Sequence, residues 1–224
     1  MTPLEKARFW ILDYLFAVLG QLRGLVDRTD PTRYRSGSKA PVLLIPGIWE
    51  TWRFLQPLAE HMHAAGHPVH VLTALGWNGT TVEASARLAQ DYLVEHDLRD
   101  VIVVAHSKGG LIGKFLMLFA DPEGRVSRMV AVASPFSGSV YARYTPLPSL
   151  RAFSPTDATT VLLGANLEVN ARITSIFGVF DPHIPGGSEL PGATNVRVPL
   201  AGHFRILGDP QVIAAMDRAL STPV

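Results

Sequence analysis

From Pro41 onward, apolar runs of strand length alternate with apolar positions at helical spacing. Val42 to Ile45, Val69 to Leu72, Val101 to Ala105 and Met129 to Ala133 are each bounded by Pro, Gly or polar residues. Continuous runs of this kind predict strands buried on both faces of a parallel sheet. Between them, residues 52–65, 81–96 and 108–120 place apolar side chains three and four apart, which predicts crossover helices. Two further runs, Ile173 to Val179 and Asn195 to Val198, precede a last helical stretch from Pro210 to Leu220. The βαβα order predicts an α/β fold with a mostly parallel central sheet and helices on both faces. One stretch, 137–170, breaks the alternation. Pro146, Pro148 and Pro155 interrupt it, and a helix-like piece from Thr160 to Leu167 follows, so it reads as a short lid-like insertion.

The N-terminus carries a different pattern. Phe9 to Leu19 contains one charge, Asp13. On a helical wheel Ile11, Leu15, Val18, Leu22 and Leu25 share one face, while Phe9 and Phe16 fall on the side of Asp13 and Arg23. The apolar stretch is shorter than the ~20 residues a bilayer span needs, and no clear cleavable signal peptide is present. The expected alternatives are an extra helix docked on the main domain, a homo-oligomer contact through that helix, or a peripheral membrane contact. A polar linker, Arg28 to Ala40, follows, which divides the chain into 1–40, helix and linker, and 41–224, the main domain.

Composition narrows the partners. The 224 residues are 47% hydrophobic and 17% charged, enough for one substantial core. Lys and Arg total 20 against 19 acidic residues with no basic stripe, which argues against nucleic acid. The absence of cysteine excludes thiolate metal sites and a Cys nucleophile. His61, His63, His67 and His70 cluster in sequence, yet the first two point about 200° apart on a helix, so no metal and no cofactor is expected. The expected location is the cytoplasm, with or without membrane association.

The most specific motif is Ala105-His106-Ser107-Lys108-Gly109-Gly110, which follows an apolar strand and opens a helix. A serine at such a corner needs small residues two positions away on either side, where the backbones approach. This stretch resembles the serine motif of bacterial lipases and esterases of the α/β-hydrolase superfamily, except that Ala105 stands where the family has glycine. The resemblance covers residues 41 to 220. It implies the α/β-hydrolase fold and a serine hydrolase acting on carboxylic esters of small molecules or lipids, with Ser107 as nucleophile.

The same resemblance assigns the other parts. The family's second oxyanion donor comes from the loop after the first strand, here Pro46-Gly47-Ile48-Trp49, so the candidate N–H donors are Ile48 or Trp49 together with Lys108. The family order is serine, acid, histidine. Asp181, after the strand at 173–179, is the candidate acid, and His203 in Ala201-Gly202-His203-Phe204 the candidate base. His106 and His183 are expected to be structural. Trp49, Trp77 and Phe136 are candidates for an acyl pocket. Lys108 departs from the apolar or amide residue common there, and its ammonium is expected at the rim, either as a solvated side chain or as an attractor of acidic substrates. A thioesterase, amidase or acyltransferase would share the same acyl-serine, a haloperoxidase-like side activity fits the same fold, and a non-catalytic lipid- or partner-binding protein is the rival from another class. Dehalogenases and epoxide hydrolases of this fold place an aspartate where Ser107 stands.

Overall fold

The computed structural model describes residues 2–221. Six strands, β1 (Val42–Ile45), β2 (Val69–Val71), β3 (Val101–His106), β4 (Val126–Val132), β5 (Ile173–Phe180) and β6 (Thr194–Ala201), form one sheet in the order β2-β1-β3-β4-β5-β6. Every pairing is parallel.

The continuous apolar runs are used on both faces, as the period of two requires. Leu43, Ile45, Val101, Val103, Met129 and Ala131 point to one side. There they meet α3 (Val82–Glu95) through Ala86, Ala89 and Leu93, and α4 (Lys108–Phe115) through Leu111 and Ile112. Val42, Leu44, Ile102, Val104, Val130 and Val132 point to the other side. They meet α2 (Gln56–Ala64) through Leu58 and Met62, and α7 (Pro210–Ser221) through Val212 and Met216.

Element boundaries shift where local chemistry intervenes. Residues 52–65 start as a tight 3-10 turn, Trp52–Leu55, because Pro57 has no N–H and fits only the first turn of α2. The helix expected over 108–120 is α-helical only to Phe115, and Leu116–Ala120 widens into a π-helical turn. The insertion holds a 3-10 turn (Val140–Tyr144), a short helix α5 (Pro148–Arg151) and α6 (Ala158–Ala165). The last begins two residues before the expected Thr160, where the Asp157 carboxylate accepts from Thr159 N–H at 2.9 Å.

The N-terminal helix α1 (Pro3–Val26) corrects the expectation about its length. Its 24 residues are, by length and composition, enough to cross a membrane, because the apolar character continues through Leu22, Leu25 and Val26 past the single charge of Arg23. Its aliphatic stripe is turned outward. The stripe Ile11, Leu15, Val18, Leu22 and Leu25 is more than half exposed throughout, while the buried residue is Asp13. The inward side combines aromatic rings, Phe16 against Phe54 and Tyr14 against Phe204, with glycines at the closest approach. A Cβ on Gly20 would sit 2.8 Å from the Phe54 ring, and one on Gly24 3.3 Å from Arg53 Cβ. The helix thus lies close against the 52–55 turn without using its large aliphatic side chains.

Candidate active site

The sheet brings the carboxyl ends of β1, β3, β5 and β6 to one edge of the molecule, where α/β folds place their ligands. At the end of β3 the chain turns into α4 within one residue. Ser107 takes φ 52° and ψ −120°, a positive-φ conformation costly for a side-chain-bearing residue and held here by the packed β3–α4 corner. Glycine is required just beyond it. A Cβ at Gly109 would overlap the Ile45 carbonyl oxygen, and one at Gly110 would overlap Ser134 Oγ.

Ser107, Asp181 and His203 meet at this corner. His203 Nδ1 lies 2.7 Å from Asp181 Oδ2, and His203 Nε2 lies 2.9 Å from Ser107 Oγ. With Nδ1–H donated to the carboxylate, Nε2 is left to accept the serine hydroxyl. Asp181 is itself oriented, since its Oδ1 accepts the N–H groups of His183 (2.7 Å) and Ile184 (3.0 Å). Burial disfavours charge on both partners, but each outweighs it for the other. The histidine is raised above the ordinary imidazole value by Asp181 first, then by the charges of Glu50 and Asp13. The Asp181 carboxyl is held below the usual carboxylate range by His203 and the His183 N–H.

The hydroxyl opens into an apolar cavity of about 500 Å³. Ile48, Pro135, Tyr141, Leu150, Phe153 and Ile184 contribute apolar wall, and Trp10 of α1 reaches it from the N-terminus.

Residues 42–187 match the Alpha/beta hydrolase family, well over half of the chain. The chain belongs to this family. The matched segment includes Ser107 and Asp181 and stops short of His203. Solved structures agree on the fold. A Mycobacterium tuberculosis chain named as a non-heme bromoperoxidase superposes with a TM-score of 0.63 at 17% identity, covering 83% of this chain and 93% of that one. A Bacillus licheniformis lipase in mature form gives 0.60 at 16% identity over 88% and 96%. An extracellular alpha/beta-hydrolase from a Paenibacillus species gives 0.55 at 18% over 80% and 98%. No curated protein matches the sequence.

In this hydrolase the oxyanion candidates stand near the serine. Lys108 is the first residue of α4, where helix N–H groups have no acceptor of their own, and Ile48 lines the cavity beside Ser107. Trp49 does not line it. It takes φ 56°, and its side chain is exposed. The 46–49 turn that carries Ile48 is braced from behind. Glu50 Oε2 accepts Gly47 N–H at 2.7 Å, and Asn78 Nδ2 donates to the carbonyls of Pro46 (2.7 Å) and Gly47 (3.2 Å).

That brace overturns the expectation for Lys108. Its side chain is 2% exposed and runs away from the rim. Nζ donates to Asn78 O (2.8 Å), Asn78 Oδ1 (3.1 Å) and Thr80 O (2.5 Å). Burial pushes the ammonium down to about 8. An ammonium with all three hydrogens spent inside the protein fastens the 78–80 loop and does not steer acidic substrates.

Two other pocket expectations also fail. Trp77 is half exposed away from the cavity, and Phe136 is buried in the core beneath the sheet edge, leaving Pro135 of the same turn to line the site. Sequence reasoning missed Trp10, Asp13, Glu50 and the insertion residue Tyr141, and it underrated both decoy histidines. His106 Nδ1 lies 2.9 Å from Glu50, and Nε2 lies 3.1 Å from the His203 carbonyl oxygen. His183 lines the cavity, stacks on Trp10 at 5.8 Å and is pushed down to about 4 by burial and the neighbouring His203. The clustered histidines disperse. His61 pairs with Asp217, His67 Nδ1 lies 2.9 Å from the Ala40 carbonyl, His70 meets Tyr92, and His63 sits against the Tyr34 ring.

Proposed function

We propose that this α/β hydrolase cleaves carboxylic esters through an acyl-Ser107 intermediate. The observation that carries the reading is the continuous hydrogen-bonded series from Asp181 through His203 to Ser107 Oγ, ending in a cavity walled by apolar side chains. His203 Nε2 takes the Ser107 proton as Oγ attacks the ester carbonyl, and the imidazolium is stabilised by Asp181. The oxyanion is met by the N–H groups of Ile48 and Lys108, each donor typically worth ~3 kcal/mol. Collapse of the tetrahedral intermediate breaks the bond to the alkoxy group, which leaves as alcohol with the proton from His203. Water, deprotonated by His203, then releases the acid and restores Ser107. A thioester or an acceptor alcohol would use the same intermediate, and the apolar cavity favours an acyl chain as the group held.

The test is a fluorophosphonate probe, which adds covalently to an activated serine, followed by an ester panel of increasing acyl length. An adduct on Ser107 and turnover are expected. Absence of both in folded protein overturns the reading in favour of a non-catalytic binding protein.

A lipid surface is the proposed place of work. The outward stripe of α1, Ile11 to Leu25, has no covering partner among the described residues, and the same helix sends Trp10 into the cavity. Lys6, Arg8 and Arg23 are exposed on α1. A helix of this kind lies in the plane of an anionic membrane interface, with its apolar side in the acyl boundary and the cavity beside it. Flotation with vesicles containing anionic lipid is expected and should be lost in the double variant Leu15→Ser, Leu22→Ser. A dimer in light scattering that the same variant dissolves, with no flotation of the parent protein, would replace the membrane by a second copy.

A further inference from the structure

We infer that Asp13 of α1 is a positioning residue for His203, so that the N-terminal helix is part of the active site. The inference rests on His203 being the base of the proposed hydrolase. Asp13 has no exposed surface, is the buried residue of a helix otherwise largely open to solvent, and is 190 residues from its partners in sequence. Its Oδ2 accepts His203 N–H at 2.9 Å, and its Oδ1 accepts the N–H groups of Phe204 and Arg205, each at 2.9 Å. Those three N–H groups open the 3-10 turn Arg205–Gly208, whose own residues cannot satisfy them. A carboxylate at that end is bound by charge-assisted bonds and by the turn's dipole.

The chain makes room for it. Gly202 takes φ +128°, and a Cβ there would sit 2.6 Å from Asp13 Oδ1. The other side of the same residue is held as well, because His106 Nε2 lies 3.1 Å from the His203 carbonyl oxygen and is backed by Glu50. The backbone of His203 is therefore gripped at its N–H by α1 and at its C=O by the β3 elbow. Its ring spans the gap between Asp181 and Ser107. Loss of either grip leaves the imidazole free to swing, and a displacement of about 1 Å costs on the order of 10²-fold in rate.

The titratable groups facing His203 come from each packed element. They are Asp181 after β5, Glu50 behind His106, Asp13 on α1, and the rings of His183 and His106 at 4.8 and 5.0 Å. Arg205 turns away, with its guanidinium over the Phe9 ring. Asp13 is one of the charges that favour the imidazolium, which makes the pH profile diagnostic.

The experiment compares D13N with the parent protein on a short soluble ester. Asparagine keeps the shape, removes the charge and turns an NH2 toward one of the three N–H groups. Expected are a kcat lower by on the order of 10²-fold, a KM within a few-fold, and an acid limb of kcat/KM moved to lower pH, since a His203 without that charge loses its proton more readily. Unchanged kcat and an unmoved limb overturn the proposal. A lowered kcat with an unmoved limb does so too, because loosened helix packing alone would produce it. Amide exchange of His203, Phe204 and Arg205 in the parent protein gives a reading that needs no variant. Exchange as slow as the strands of the core is expected, and exchange at open-loop rates overturns the clamp even if D13N fails to fold. A parent protein that neither takes the fluorophosphonate nor hydrolyses esters would sink the hydrolase reading instead, while the exchange of the three amides would still decide the clamp.

Discussion

The β3–α4 elbow and the N-terminal helix both reach His203, and they could hardly be built more differently. The elbow is buried from Val101 to Lys114, and its glycines admit no Cβ, Gly109 against β1 and Gly110 against Ser134. Helix α1 leaves its large aliphatic side chains outside and enters the site through one carboxylate and one indole. An element locked by close packing advertises itself as an apolar run, whereas one locked by three hydrogen bonds to a single charge does not. The elbow also lies inside the family match and α1 outside it.

The largest effect that separates the two regions is chemical. Ser107→Ala should lower kcat on the order of 10⁶-fold with the melting temperature nearly unchanged, since only a hydroxyl is lost. Residual turnover at more than about a hundredth of the parent's would break the assignment of the elbow as the reacting centre.

Next comes the brace behind the elbow. Lys108→Met leaves the acceptors of Asn78 and Thr80 without their donor and should cost about 2 to 4 kcal/mol in denaturant unfolding. The ratio of rates on neutral and anionic esters should stay constant. A change in that ratio at constant stability would return Lys108 to the rim.

The pH profile reads both regions together. His203 must be neutral to act as base, and its pKa is raised above 6.5, so kcat/KM should fall tenfold per pH unit below a limb lying above that value. A limb below 6.5 would show that Asp181 and the surrounding carboxylates do not outweigh burial. The sign for folding is opposite. A raised histidine adds stability that is full at low pH and is lost as pH rises through its folded value, whereas Asp181 adds stability above 3.8 that is lost on acidification.

The smallest effect belongs to the cavity wall. Trp10→Ala should raise KM for long acyl chains several-fold and leave short esters within about twofold, because only burial of the distal chain is lost. Equal effects on both lengths would place Trp10 in support of His183 and not in contact with substrate.

Much of the frame was legible from the chain. Val42 to Ile45, Val101 to Ala105 and the glycines after Ser107 combine a period, a length and a steric demand that few folds satisfy together. Asp181 and His203 were found by order along the chain, with the resemblance supplying the order. Expectation failed for side chains whose direction depends on what lies opposite. Trp77 and Phe136 were apolar and nearby, yet one is exposed and the other is core. Lys108 was charged and beside the serine, yet it turns inward to carbonyl groups about thirty residues away.

By itself the sequence determined the parallel sheet, the crossover helices and the strand-turn-helix corner, because periodicity and glycine sterics act within a few residues. It could not determine which face of α1 docks. Its wheel left the apolar stripe through Ile11 and Leu15 free to meet the domain, a second copy or a membrane, and the face that docks is the one carrying Asp13, which meets three backbone N–H groups that converge only once β6 is in place. Burial of the one charge in an apolar helix is favourable only where such donors wait for it. Their position is a property of the assembled tertiary structure.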